Sequence, residues 1–201
     1  MDKIIVAGID TDVGKTITAA VLTLMLNGTY WKPVDCGAFD TATIKQFNLP
    51  HLQPLYSFKT PCSPHYAAFL EGKMITPFEY PSQVSPLIIE TAGGVLTPLT
   101  LELTNLDHFS TWNCPWILVS RHILGSINHT LLTVEALRRR NVDLLGIIFN
   151  GYPDPCSEEP ILKQTQLACL GRLLPEPKID RTTLQKYATQ WKIPSGALSR
   201  R

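Results

Sequence analysis

The chain has 201 residues, of which 44 % are hydrophobic and 17 % charged; 18 Lys and Arg stand against 17 Asp and Glu, a formal net charge of +1. That length and apolar content suit one α/β-sized domain with a sizeable core, and so few charges argue against disordered acidic or basic tails. The even charge balance excludes a general basic surface for nucleic acid or anionic lipid, and no apolar run approaches the roughly 18 residues of a membrane span.

The opening MDKIIVAGID carries no secretory signal pattern. Five cysteines (Cys36, Cys62, Cys114, Cys156 and Cys169) are spread widely without a C-x-x-C pair, which points to a reduced, cytoplasmic setting and away from disulfides or structural zinc. The five histidines are scattered and form no metal cluster.

Short β-branched runs alternate with helical patterns, the signature of a parallel sheet wrapped by helices. In chain order the pattern predicts a buried strand over 4–7, a helix over 16–25, a short strand over 30–34 and a short helix over 40–47. Residues 48–64 carry four prolines and read as loop, followed by a helix over 64–71 with proline at its start. A buried strand over 87–89 ends in Glu90, and TAGGVLTPLT then reads as a flexible loop. Next come a strand over 116–120 and a helix over 128–140, with Leu131, Val134 and Leu137 at helical spacing. A strand over 144–149 precedes Asn150 and Gly151, and helices over 161–170 and 180–191 flank the loop PEPK.

The sharpest signal is GIDTDVGKT, residues 8–16, between a predicted strand and a predicted helix. That is the setting a phosphate-binding loop requires, with curled backbone N–H groups and a helix N-terminus facing the phosphates. Lys15 would neutralise β- and γ-phosphate charge, and the Thr16 hydroxyl would ligate Mg²⁺. The first glycine of a regular motif would lie at Ile9; here it is Gly8, one place early. A chance G-K-T is the competing explanation, and the strand–loop–helix setting weakens it. Asp10, Thr11 and Asp12 put acids beside a triphosphate, which suits a cationic co-substrate such as an amine; the plainer alternative is a turn-closing acid.

Glu90 ends a buried strand where an acid serving Mg·ATP belongs, and Gly93 and Gly94 behind it favour close approach of a ligand. Asp40 is a second such acid, or a helix N-terminal charge. Lys32, in W-K-P-V, sits at the ligand-binding edge of a doubly wound sheet, where it could hold an anionic intermediate or simply be solvated. LGSINHT (124–130) is a glycine loop entering a helix, able to meet a carboxylate; the plainer alternative for Asn128 is an N-cap. Asn150 could present its amide to a nucleobase, or close a turn with Gly151.

Taken in order, GIDTDVGKT, WKPV, CSPH (62–65), IETAGG, LGSINHTLLTVEALR and FNG resemble the dethiobiotin synthetase family, ATP-dependent carboxylases of biotin biosynthesis. The resemblance covers nearly the whole chain. It implies one domain over 1–201 with an α/β, P-loop NTPase-like fold: a central, mostly parallel sheet with helices on both faces, working as a homodimer. It implies that 7,8-diaminononanoate, CO₂ and ATP give dethiobiotin, ADP and phosphate with Mg²⁺, through a carbamate and a carbamic-phosphoric anhydride. Nucleic acid and membrane have no part in that reaction.

By the same resemblance, Lys15 and Lys32 are the catalytic lysines, and Thr16, Asp40 and Glu90 surround Mg²⁺. The nucleotide falls to Asp12, Val13, Gly14, Lys15, Thr16, Ile17, Glu90, Thr91, Ala92 and Gly93, with Asn150 reading adenine beside Gly151, and Leu174, Pro175 and Glu176 flanking base or ribose. Substrate falls to Thr11, Asp12, Lys32 and Cys36, with Ser126, Ile127 and Asn128 binding its carboxylate across the dimer interface. The chain departs from the family at Cys36, usually serine, at Asp35, usually a small residue, and at Thr91, usually glycine.

Two other functions compete. A dimeric P-loop ATPase switch of the partitioning type would act through protein or DNA partners, but such proteins carry a lysine where this chain has Asp10. Their membrane-targeting members end in a basic amphipathic tail, for which residues 199–201 are too short. A small-molecule kinase would leave IETAGG and LGSINHT without a role.

Overall fold

The structure is a computed structural model describing residues 3–37 and 40–194. Strand β1 (Lys3–Gly8) is buried along almost its whole length, as a strand covered on both faces must be. It is the centre of a six-stranded parallel sheet with β2 (Thr29–Trp31), β5 (Leu87–Gly94), β6 (Trp116–Arg121), β7 (Leu144–Asn150) and β8 (Cys169–Leu173), in the order β2-β5-β1-β6-β7-β8. Alternation along β1 feeds two cores. Ile4 and Val6 pack towards α1 (Lys15–Met25) and α7 (Arg181–Gln190), and Ile5 and Ala7 towards α3 (Pro64–Leu70) and α4 (Asn105–Phe109). The expected sheet with helices on both faces is therefore present. Its order reverses at β1, so the chain leaving β1 enters the crevice where doubly wound sheets bind ligands.

Several expected boundaries move. The second strand ends at Trp31 rather than 34. Pro33 has no N–H for the ladder, and its carbonyl instead accepts from Leu55 and Tyr56 N–H at 2.9 and 3.0 Å. The chain then forms β3 (Val34–Cys36), paired in parallel with β4 (Tyr56–Phe58) inside the segment read as loop. Strand β5 runs through Gly94, so the start of the expected flexible loop is sheet, held against β1 as far as Gly8. Helix α4 was not expected; a capping box between Thr104 and Asp107 starts it.

Helix α5 (Ser126–Arg139) starts two residues early, after Gly125. The helix expected over 161–170 is instead α6 (Pro155–Thr165), closed by Gln166 in the left-handed conformation, followed by β8. Proline at the first helical position suits α6, whereas Pro160 inside it hides it from a reading of periodicity. Helix α2 (Asp40–Gln46) lies where expected. Among the described residues no helix is long and apolar enough to cross a membrane.

Candidate active site

Two glycines shape the loop between β1 and α1. A Cβ on Gly8 would lie 2.6 Å from Val13 Cγ2, and one on Gly14, at φ +100°, would lie 2.7 Å from Asn150 Nδ2. Ile9 stays tied to the sheet, its N–H donating to the Val119 carbonyl at 3.1 Å, and the early glycine is required where the returning loop crosses β1, since a Cβ there would also lie 2.9 Å from Asp10 O. Three side chains hold the loop by its carbonyls. Lys15 Nζ donates to Asp10 O at 2.7 Å, Arg121 Nη1 to Asp12 O at 3.1 Å, and Asn150 Nδ2 to Val13 O at 2.9 Å. The first N–H groups of α1 have no intrahelical partner, and together with Lys15 they form an anion site.

Beside the loop opens a cleft of about 720 Å³ lined by Asp10, Thr11, Asp12, Gly14, Lys15, Thr16, Ile17, Lys32, Cys36, Asp40, Cys62, Ser63, Glu90, Ala92 and Gly93, among others. Its size suits a nucleotide tail together with a small substrate. Four elements meet in its floor. From α1, the Thr16 hydroxyl lies 2.8 Å from Asp40 Oδ1 on α2 and 3.0 Å from Glu90 Oε1 on β5. From the end of β2, Lys32 Nζ pairs with Asp40 Oδ2 and, at 3.3 Å, with Glu90 Oε1. Tyr30 on β2 donates its hydroxyl to Glu90 Oε2 at 2.8 Å.

These groups are deeply buried, with Glu90 1 %, Lys15 5 % and Lys32 6 % exposed. Burial by itself would lower Lys32, but Glu90 and Asp40 outweigh it and hold the ammonium above its ordinary range. Burial lowers Lys15, against the opposing pull of Glu90. Burial and Glu90 together raise Tyr30 well above a free phenol. The Asp35 carboxyl is pushed up to about 6 by burial, against the pull of Lys32, and its Oδ1 has no hydrogen-bond partner. Burial pushes the Cys36 thiol up to about 12.

The sites expected from sequence do not all meet. Lys15, Thr16, Lys32, Asp40 and Glu90 converge, with Thr11, Asp12, Gly14, Ile17, Cys36, Ala92 and Gly93 around them. Val13 is buried beneath the loop. Thr91 is fully buried within β5 with its Oγ1 3.5 Å from Val6 O, so its side chain faces the sheet and not the cleft. Thr91 is also absent from the positions with positive φ, so threonine is accommodated there without strain. Asn150 holds the loop, with Gly151 against the His122 ring. Leu174 N–H donates to the Tyr187 hydroxyl at 3.0 Å, Glu176 accepts from the same hydroxyl at 2.6 Å, and exposed Pro175 lies between them. Ser126, Ile127 and Asn128 open α5 and do not line this cleft.

Sequence reasoning passed over Tyr30 and Arg121. Tyr30 stands two residues before Lys32, and in an extended segment that spacing puts both on one face. Arg121 carried no comparable signal, because only folding brings the end of β6 to the loop.

A family model described as an AAA domain matches residues 2–183. The ATP-dependent dethiobiotin synthetase of Chlamydia pneumoniae is 43 % identical over 198 residues, covering 96 % of this chain and 90 % of the relative. The enzyme of the same name from Rhodopseudomonas palustris (strain BisB5) is 45 % identical over 179 residues, covering 85 % of this chain and 84 % of its own. The chain belongs to the dethiobiotin synthetase family. It is therefore a ligase.

Solved structures supply the architecture at greater distance. A plasmid partition protein of Borrelia burgdorferi B31 bound to AMPPNP superposes with a TM-score of 0.60 at 12 % identity, over 92 % of this chain and 95 % of that one. The septum site-determining protein MinD of Pyrococcus horikoshii OT3, complexed with Mg-ADP, gives 0.55 at 15 % identity, over 94 % and 88 %. At such identities the likeness establishes the P-loop fold and nothing about partners.

Proposed function

We propose that this chain converts 7,8-diaminononanoate, CO₂ and ATP into dethiobiotin, ADP and phosphate, with Mg²⁺, as a step of biotin biosynthesis. The observation that carries the reading is the Lys32 ammonium, paired with Asp40 and Glu90 in the floor of a cleft that opens on the phosphate loop. A plain NTP-binding loop has no need of a second buried cation there; a reaction in which anionic carbamate meets anionic phosphate does.

One amine of the substrate adds to CO₂ and loses a proton, giving a carbamate. A carbamate oxygen attacks the γ-phosphorus, and the bond to the β-phosphate oxygen breaks to release ADP. The second amine attacks the carbonyl carbon of the resulting anhydride and gives up a proton, phosphate leaves with its oxygen, and the ureido ring closes. Lys15 exchanges the Asp10 carbonyl for phosphate oxygens, and Lys32 holds charge on the carbamate and on the transferring group. Both act by charge and position. The exposed carboxylates of Asp10 and Asp12 at the cleft's rim suit an ammonium-bearing substrate. Cys36 contributes a neutral thiol to the substrate's surroundings. Asn150 is assigned to adenine, and Leu174, Pro175 and Glu176 to base or ribose.

The donor set fits Mg²⁺. Thr16 Oγ1, Asp40 Oδ1 and Glu90 Oε1 are hard oxygens within about 3 Å of the shared hydroxyl. Among the described residues no group of three or more His, Cys, Asp and Glu side chains is assembled to hold a metal ion. When bound, Mg²⁺ supplies neutralisation of phosphate charge.

Ser126, Ile127 and Asn128 lie outside their own cleft, and the neighbouring Leu124 and Leu132 are exposed, which supports completion of the site by a second copy in a homodimer. The test is direct. Purified protein is incubated with Mg·ATP, bicarbonate and 7,8-diaminononanoate, and dethiobiotin is sought by mass spectrometry. Product that vanishes when ATP or the diamine is omitted supports the reading; folded, ATP-binding protein that makes none overturns it.

A further inference from the structure

Glu90 has two carboxylate oxygens, and they face different neighbours. Oε1 lies 3.0 Å from the Thr16 hydroxyl and 3.3 Å from Lys32 Nζ, on the cleft side. Oε2 accepts from the Tyr30 hydroxyl at 2.8 Å. Tyr30 is 0 % exposed and does not line the cleft. Its backbone is fixed on two sides: the N–H donates to Pro50 O at 2.9 Å, and the carbonyl accepts from Leu52 N–H at 2.8 Å. Strand pairing sets Tyr30 against Ile88, two residues before Glu90. The ring also packs into the core beneath α1, so the hydroxyl has little freedom to follow a moving carboxylate.

A carboxylate turns readily about its last bond. On the cleft side Glu90 is held by Thr16 and Lys32, and both of these are shared with Asp40. Nucleotide and metal binding would rearrange those contacts, because Thr16 must then serve the cation and Lys32 the carbamate and transferring phosphoryl group. The Tyr30 bond lies on the far side and need not change.

We propose that Tyr30 is a positioning residue for the metal–nucleotide site: its hydroxyl anchors Glu90 Oε2 so that Oε1 is presented to the cation. The proposal rests on the reading of Glu90 as a metal-associated acid in the proposed function. Tyr30 does not line the cleft, so its hydroxyl acts on the site only through Glu90. It is a fixed donor, of the kind whose loss from a ligating side chain typically costs about 10- to 100-fold in metal affinity.

The experiment uses the full chain with AMPPNP and reads free Mn²⁺ by electron paramagnetic resonance, alongside steady-state kinetics at varied Mg²⁺. Tyr30→Phe keeps the ring and removes one oxygen. We expect Mn²⁺ affinity to fall about 10-fold, a matching rise in the Mg²⁺ needed for half-maximal rate, and a KM for the diamine within about twofold of wild type. Tyr30→Phe leaves a buried carboxylate oxygen unpaired, so the double variant Tyr30→Phe/Glu90→Gln, without that charge, is measured beside Glu90→Gln alone. If Tyr30 acts through Glu90, the double variant binds Mn²⁺ as Glu90→Gln does, because the two effects do not add. Mn²⁺ affinity of Tyr30→Phe within twofold of wild type, or a double variant well below Glu90→Gln, overturns the proposal. The Mn²⁺ readings stand whether or not wild-type protein forms dethiobiotin, so a wrong substrate assignment shows up separately from a wrong role for Tyr30.

Discussion

Replacing Asp35 by asparagine is expected to stabilise the protein at neutral pH and to do nothing at acid pH. Asp35 is 6 % exposed on β3, surrounded by Lys32, Asp40 and Glu90, and its Oδ1 has no partner. Its carboxyl is raised from 3.8 to about 6, first by burial, with Lys32 opposing and Asp40 and Glu90 adding to the rise. Between those two values the folded chain keeps a proton that the unfolded chain has given up. Stability therefore falls as pH climbs through that window, by about 1.4 kcal/mol per pH unit, or roughly 3 kcal/mol in all. The cost is absent below the unfolded value and fully present above the folded one. Asparagine imitates the protonated acid and can still accept the Thr41 N–H that the carboxylate now receives.

In the absence of nucleotide and metal, Asp35→Asn should raise the melting temperature at pH 7.5 by roughly 6–12 °C, at about 2–4 °C per kcal/mol for a domain of this size. At pH 3.5, if both proteins remain folded, the two melts should coincide; otherwise the gap should be seen to close as pH is lowered from 7.5 towards 4. Thermal melts by circular dichroism across this range are sufficient. A gain that is the same at every pH would mean that packing and not charge sets the difference, and no gain at pH 7.5 would refute the burial argument outright.

The remaining predictions concern the cleft. Lys15→Ala and Lys32→Ala should each lower turnover by at least about 100-fold, the scale of a lost charge-stabilising donor; near-wild-type turnover in either would remove that residue from the mechanism. Lys32→Ala should also melt earlier, because Asp40 and Glu90 lose the cation they share, whereas Lys15 gives up a bond to one backbone carbonyl. Cys36→Ser should leave the diamine KM equal or lower, since a hydroxyl donates better than a thiol that stays neutral at assay pH; a large rise in KM would show the contact is rewired around sulfur. Thr91→Gly should cost on the order of 1–2 kcal/mol in urea unfolding, from lost burial and added chain entropy, with ATP affinity unchanged. Weakened ATP binding would show that Thr91 reaches the nucleotide after all.

Much of the site is legible before folding because its signals are local. A strand, a glycine-bounded turn and G-K-T follow one another within residues 3–16, so the phosphate loop is set by near neighbours. Glu90 is legible for the same reason, as an acid at the end of an apolar strand. The elements misread are those whose form comes from distant partners. Strand β8 contains Gly171, where a Cβ would lie 2.2 Å from the Trp191 ring; that packing across 20 residues, and not any alternation within CLGRL, keeps the segment extended. Strands β3 and β4 are three residues each, too short to show a period, and exist through their mutual pairing.

The amino-acid sequence by itself determined the parallel sheet, the phosphate loop, the family and many of the residues that line the cleft, since these depend on apolar runs, glycine positions and short motifs. Only the tertiary structure decided how charge is balanced at the centre. Thr16 meets Asp40 across 24 positions and Glu90 across 74, and Tyr30 reaches Glu90 across 60. Such separations leave no periodic trace along a chain. They arise because parallel strands deliver their carboxyl ends to one edge of the sheet, where burial makes unpaired charge costly and each lysine, acid and hydroxyl settles against its partners.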